Sequence, residues 1–126
     1  MLDAVGIITS DIDKAKEFYG LLGLDIKAFP GSEGHYEAET KSGIRVMFDS
    51  EELVQKINPN WQKPTGNSIV LCFKQESPEK VNQIYTQLLE MGYQSEKEPW
   101  DAFWGQRYAC VKDFDGHQVD LFANIT

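Results

Sequence analysis

Apolar positions along this chain follow two rhythms, an alternation of two and a spacing of three to four, and the order of those rhythms occurs twice. Leu2 to Thr9 is apolar with β-branched content and predicts a strand. Ser10 and Asp13 then stand at capping-box spacing. Ile12, Ala15, Phe18, Tyr19 and Leu22 recur at helical spacing, so a helix is expected to about Leu22, with Gly23 as its left-handed cap. Leu24 to Phe29, Tyr36 to Thr40 and Ile44 to Phe48 predict strands, separated by breaker-rich segments at 30–34 and 41–43. Glu51 to Ile57 predicts a short helix.

Residues 58–66 carry the Asn, Pro and Gly content of a connector, which places one module at 1–57 and a second at 67–126. Within the second, Ser68 to Phe73 predicts a strand. Ser77-Pro78-Glu79 supplies N-cap, first-turn proline and first-turn acid in order, and Val81, Ile84, Tyr85 and Leu88 form the apolar face of a helix closed by Gly92. Tyr93 to Lys97 predicts an edge strand. Gln106 to Lys112 and His117 to Phe122 then flank Asp113-Phe114-Asp115-Gly116, whose Asp and Gly residues suit a tight reversal, so a hairpin is expected. Both halves read βαβββ. As an internal repeat, Val5 to Thr9 aligns with Ile69 to Phe73, Phe18-Tyr19 with Ile84-Tyr85, Gly23 with Gly92, Tyr36 with Tyr108, and Gly43 to Phe48 with Gly116 to Leu121.

Trp100, Phe103 and Trp104 crowd between Pro99 and Gly105, where neither rhythm accounts for them. They are either a lid on the core or the wall of a binding site.

Composition narrows the function classes. The 126 residues suit one domain, and 41% hydrophobic content spread along the chain leaves no run near the roughly eighteen apolar residues of a membrane span. Met1-Leu2-Asp3-Ala4 lacks the basic start of a signal peptide, so a cytoplasmic location is expected. Cys72 and Cys110 lie in apolar segments and predict free thiols rather than a disulfide or cysteine cluster. A net charge of −8 argues against nucleic acid as a partner and mildly favours cationic ligands.

The strand followed by Ser10-Asp11-Ile12 and then Phe18-Tyr19, the Leu22-Gly23-Leu24 step, and Lys112 to Gly116 followed by Asp120-Leu121-Phe122 resemble the vicinal oxygen chelate superfamily. That superfamily includes glyoxalase I, extradiol dioxygenases, methylmalonyl-CoA epimerase and the fosfomycin and bleomycin resistance proteins. The resemblance implies an α+β fold in which two βαβββ modules form a curved mixed sheet, and it implies a homodimer. The metal positions of metal-dependent members fall here on Ala4, Met47, Ser68 and Asp120, a set with one good hard-cation ligand, so no cofactor is expected. His35 and His117 have no clustered partner that would restore a site. His35, Glu37 and Glu39 share a strand face by alternation and read as a solvated face, while Asp113 to Gly116 lacks the further acids of a calcium loop and reads as a turn.

By alternation, Val46, Phe48, Val119 and Leu121 should pack beneath the helices. Arg45, Met47, Asp49, Gln118, Asp120 and Phe122 should line the cup of the sheet, with Ala4, Gly6, Ile8, Ser68, Val70 and Cys72 on its other walls. The run from Pro99-Trp100 to Trp104-Gly105-Gln106-Arg107 is similar in part to the Pro-Trp-Gly-x-Arg region of bleomycin-resistance-type proteins. The expected function is metal-independent sequestration of an aromatic or amphipathic small molecule, such as an antibiotic or toxin. The ligand would be held by Trp100, Phe103, Trp104, Arg107, Gln118, Asp120 and Phe122, with Arg45, Met47 and Ser68 on the remaining walls. The alternative is a lyase, isomerase or dioxygenase with a degenerate metal site.

Overall fold

Each half of the chain builds a four-stranded sheet with the same order of strands. The computed structural model describes residues 1–66 and 68–125, and the chain divides into the units Met1–Thr65 and Gly66–Thr126. The first unit runs β1 (Ala4–Thr9), α1 (Ile12–Leu21), β2 (Lys27–Ala28), β3 (His35–Ala38), β4 (Arg45–Ser50) and α2 (Glu51–Ile57). Its sheet is ordered β1-β4-β3-β2, with β1 parallel to β4 and the remaining pairs antiparallel. The second runs β5 (Leu71–Lys74), α3 (Pro78–Glu90), β6 (Gln94–Ala102), β7 (Gln106–Lys112) and β8 (Gln118–Asn124), ordered β5-β8-β7-β6. The fold is α+β, built from two βαβββ modules. Among the described residues no helix is long and apolar enough to cross a membrane.

In both sheets one face carries the core. On α1, Phe18 and Tyr19 are buried, and the Tyr19 ring lies 5.2 Å from that of Phe48 on β4. On α3, Val81, Ile84 and Leu88 are buried on the helix that packs over β6, β7 and β8. They meet Ala109, Val111, Val119 and Leu121, which alternation turns to that side and which are fully buried. Each large side chain so buried stabilises the unit by roughly 1.5–3 kcal/mol relative to exposure.

The two helices end alike. Leu24 N–H donates to Tyr19 O and Gly23 N–H to Gly20 O after α1, and Tyr93 N–H donates to Leu88 O and Gly92 N–H to Leu89 O after α3. Both are Schellman closures, and their glycines sit at φ 97° and 96°, where a Cβ would be strained. The starts differ from expectation in one case. Ser77 caps α3, but α1 is capped by Asp11 rather than Ser10. The Asp11 carboxylate accepts from Asp13 N–H at 3.0 Å and Lys14 N–H at 3.2 Å, and the Thr9 hydroxyl fixes the approach by accepting from Asp11 N–H.

Several strand limits also move. Pairing begins at Leu71 in β5, leaving Ser68 and Ile69 exposed before it, and β2 shrinks to Lys27–Ala28. In contrast, β6 runs on through Pro99 and Trp100 to Ala102, with register shifts between Ser95 and Lys97 and between Lys97 and Trp100. An edge strand with bulges tolerates proline because an outward N–H is not needed by the ladder. The aromatic run is therefore strand and turn. Trp100 is on β6, and Phe103-Trp104-Gly105 is the three-residue reversal into β7, closed by Gly105 N–H to Ala102 O at 3.0 Å with Gly105 at φ 91°.

The ladders also shift the repeat. Val46 and Val119 are equivalent, and they face Val5 and Leu71, so Val5 matches Leu71 rather than Ile69 and Ala4 matches Val70 rather than Ser68. Likewise Tyr36 pairs with Phe48 and turns towards α1, where Lys16 Nζ lies 5.3 Å from its ring centre. The mate of Tyr108 is His35: His35 faces Asp49 as Tyr108 faces Phe122.

Candidate functional site

The face of the β5–β8 sheet turned away from α3 presents two cross-strand rows. In one, Cys72, Asp120 and Cys110 are ladder partners across β5, β8 and β7. In the next, Phe122, Tyr108 and Trp100 are partners across β8, β7 and β6. Partners across a ladder point the same way, so a polar row lies directly beside an aromatic one.

The aromatic row is extended by the β6–β7 turn. Trp104 meets Tyr108 edge-on at 5.4 Å and Trp100 at 5.6 Å, and Tyr108 stacks on Phe122 at 6.1 Å and 22°. Trp104 Nε1 donates to Gln106 Oε1 at 2.8 Å, and Gln106 in turn donates to Asn124, which fixes the indole. Trp104 remains 49% exposed and Phe103, edge-on to it, 91% exposed, so neither acts as a lid on the core.

Asp120 is the centre of the polar row, and only 7% of its surface is exposed. Tyr108 Oη donates to its Oδ2 at 2.6 Å, and Gln118 Nε2 donates to its Oδ1 at 3.0 Å. Cys72 Sγ lies 3.8 Å from the Tyr108 hydroxyl. Burial, reinforced by the Asp120 carboxylate, raises the Tyr108 phenol above its ordinary value. The same two causes push the Cys110 thiol up to about 12. Both groups are thus held protonated at neutral pH.

Of the residues expected at the site, Trp100, Trp104, Gln118, Asp120 and Phe122 are brought together on this face, with Phe103 at its rim. Arg107 is not. It is out of phase with Tyr108, and its guanidinium turns to α3, donating to Asn82 Oδ1 at 3.0 Å and Asp101 Oδ1 at 3.1 Å. Ser68 lies outside β5. Tyr108 and Cys110 join the face in addition to the expected residues, and their alternation with the apolar Ala109 and Val111 is readable in the sequence.

In the first unit, Arg45 and Met47 lie on the face opposite Val46 and Phe48. There Arg45 is engaged, donating to Glu37 and Asp3 at 2.6 Å each. His35 meets Glu37 Oε2 at 2.7 Å through Nε2 and Asp49 Oδ1 at 2.5 Å through Nδ1. Burial, the largest single influence on His35, disfavours its charge, but the bonds to Asp49 and Glu37 together outweigh it and raise the pKa above 6.5. His35 and Arg45 in turn lower the Glu37 carboxyl. The face expected to be solvated is a continuous chain of ion pairs.

Residues 1–121 match the Glyoxalase/Bleomycin resistance protein/Dioxygenase superfamily. The chain belongs to that superfamily. Solved structures share the fold of this superfamily member at low identity. A glyoxalase/bleomycin resistance protein/dioxygenase family enzyme from Burkholderia phytofirmans has a TM-score of 0.84 at 18% identity, over 98% of each chain. A glyoxalase-related enzyme from Fulvimarina pelagi has a TM-score of 0.81 at 16% identity, over 98% of this chain and 88% of its own. A superfamily member from Sphaerobacter thermophilus has 0.71 at 22%, over 98% and 97%. No curated protein matches the chain by sequence.

The metal positions implied by the superfamily do not fit a metal centre here. With the register corrected they hold Ala4, Met47, Val70 and Asp120, one carboxylate whose oxygens already accept from Tyr108 and Gln118. Among the described residues the three-donor convergence is instead Asp113, Asp115 and His117, within 4.8 Å of one another. That is the β7–β8 turn. Asp113 accepts from the Asp115 and His117 N–H groups at 2.9 Å, and its other oxygen meets His117 Nδ1 at 2.8 Å.

Proposed function

We propose that this superfamily member binds a planar aromatic or amphipathic small molecule without a metal, on the face of the β5–β8 sheet that carries Trp104, Tyr108, Phe122 and Asp120, and acts by sequestering it. An antibiotic or toxin is the kind of molecule meant. The observation that carries this reading is the aromatic row set directly beside a buried carboxylate. Such a pairing of apolar wall and few polar groups is the ordinary make-up of a small-molecule site. Tyr108 and Cys110, the groups best placed for chemistry, are held protonated, which suits recognition better than proton abstraction or nucleophilic attack. A homodimer, implied by the resemblance, is part of the proposal and is open to sedimentation analysis.

The test is a titration of EDTA-treated protein with a panel of planar aromatic compounds, followed by tryptophan fluorescence. At least one should quench saturably, and Trp104→Ala should weaken it by about tenfold to a hundredfold, as expected for an aromatic anchor. Binding that appears only when zinc, nickel, iron or manganese is restored would support the lyase, isomerase or dioxygenase reading instead.

A further inference from the structure

We infer that the ligand carries a cation, an amidinium, guanidinium or protonated amine on an aromatic ring, and that Asp120 is its receptor. This rests on the binding reading above and adds the charge of the ligand to it.

Asp120 is nearly enclosed, yet its bonding partners are neutral, the Tyr108 hydroxyl and the Gln118 amide, and the Cys110 thiol is its neighbour in the ladder. Among the described residues no lysine, arginine or histidine pairs with it. Three lysines share this face of the sheet, and none of them pairs with Asp120. Lys112 reaches Glu96 at 3.3 Å, Lys97 lies over the Trp100 ring at 5.0 Å, and Lys74, beside Phe122 in the ladder, is exposed. The contrast within the same chain is direct. On the first sheet, Asp3, Glu37 and Asp49 each meet Arg45 or His35.

An enclosed carboxylate without a counter-charge is a costly arrangement, and a ligand that supplies the charge recovers more than one that merely adds another neutral donor. The aromatic row fixes where the charge must be. Phe122 is two residues from Asp120 on β8, about 6–7 Å along the strand, so a ring over Phe122 and Tyr108 places a directly attached cationic group near the carboxylate. Cys72, exposed and next to Asp120 in the ladder, marks the side left open for approach. The net charge of −8 draws cations towards the protein.

Isothermal titration with 2-naphthamidine, cationic at neutral pH, and 2-naphthamide, its neutral counterpart of the same shape, tests the inference. Wild-type protein should bind the amidine at least about tenfold more tightly, the scale of one charge-assisted pair, and Asp120→Asn should bring the ratio to about one. Asp120→Ser provides a second neutral variant if the asparagine protein does not fold. Equal binding of the two probes by the wild type, or a preference that survives both variants, overturns the cation while leaving the aromatic site. Binding of neither probe overturns both.

Discussion

Tyr108 on β7 donates its hydroxyl proton to Asp120 on β8 at 2.6 Å, although the ladder pairs neither with the other. The diagonal bond ties the aromatic row to the polar row. Tyr108→Phe keeps the ring and removes the donor, leaving a buried carboxylate short of a partner, so stability should fall by about 1–3 kcal/mol. Tyr85→Phe, which removes an exposed bond to Ser95, should cost clearly less. Urea unfolding of the two variants compares them.

Trp104 touches its neighbours at their edges and stays half exposed. Its replacement by alanine should cost stability only about 0.5–1.5 kcal/mol, the worth of aromatic edge contacts. Phe48→Ala, in the core against Tyr19, should cost about 3–5 kcal/mol. Equal losses on thermal unfolding would return Trp104 to the role of a lid.

His35 makes stability depend on pH. Its pKa is raised in the folded state, so its contribution is fully present below the ordinary 6.5 and is lost as pH rises through the higher folded value. Glu37, lowered, acts at the other end: its contribution is present above the ordinary 4.5 and lost as pH falls through the folded value. Urea midpoints should therefore fall from slightly acidic to mildly alkaline pH, and His35→Gln should flatten that slope.

Elemental analysis of gently purified protein should find no stoichiometric zinc, nickel, iron or manganese, because a single carboxylate at the superfamily's metal positions cannot hold one tightly. One metal per chain, lost in Asp120→Ala, would contradict this.

The βαβββ repeat, the apolar faces of both helices and the Gly23 and Gly92 closures were legible in the sequence because each depends on residues a few positions apart. The parity of β4 and β8 was legible too, which is how Asp120, Gln118 and Phe122 were assigned to one face. What escaped was set by pairing between distant strands. Pro99 marks a break by local rules, yet the bulged edge of β6 absorbs it and carries Trp100 into the ladder. Arg107 is expected at the site from the partial Pro-Trp-Gly-x-Arg resemblance, and one step of alternation sends it to Asn82 instead. His35 acquires Asp49 only through the β3–β4 register, so the ion-pair chain could not be read from the spacing of His35, Glu37 and Glu39.

The most direct test of the binding account is an amide NMR titration of the protein, in EDTA, with a planar aromatic compound that quenches its tryptophans. The largest shifts should fall on Trp104 and its indole N–H, Tyr108, Asp120 and Phe122. Shifts concentrated on the α3 surface around Asn82 and Arg107, or none until a divalent metal is added, would contradict it.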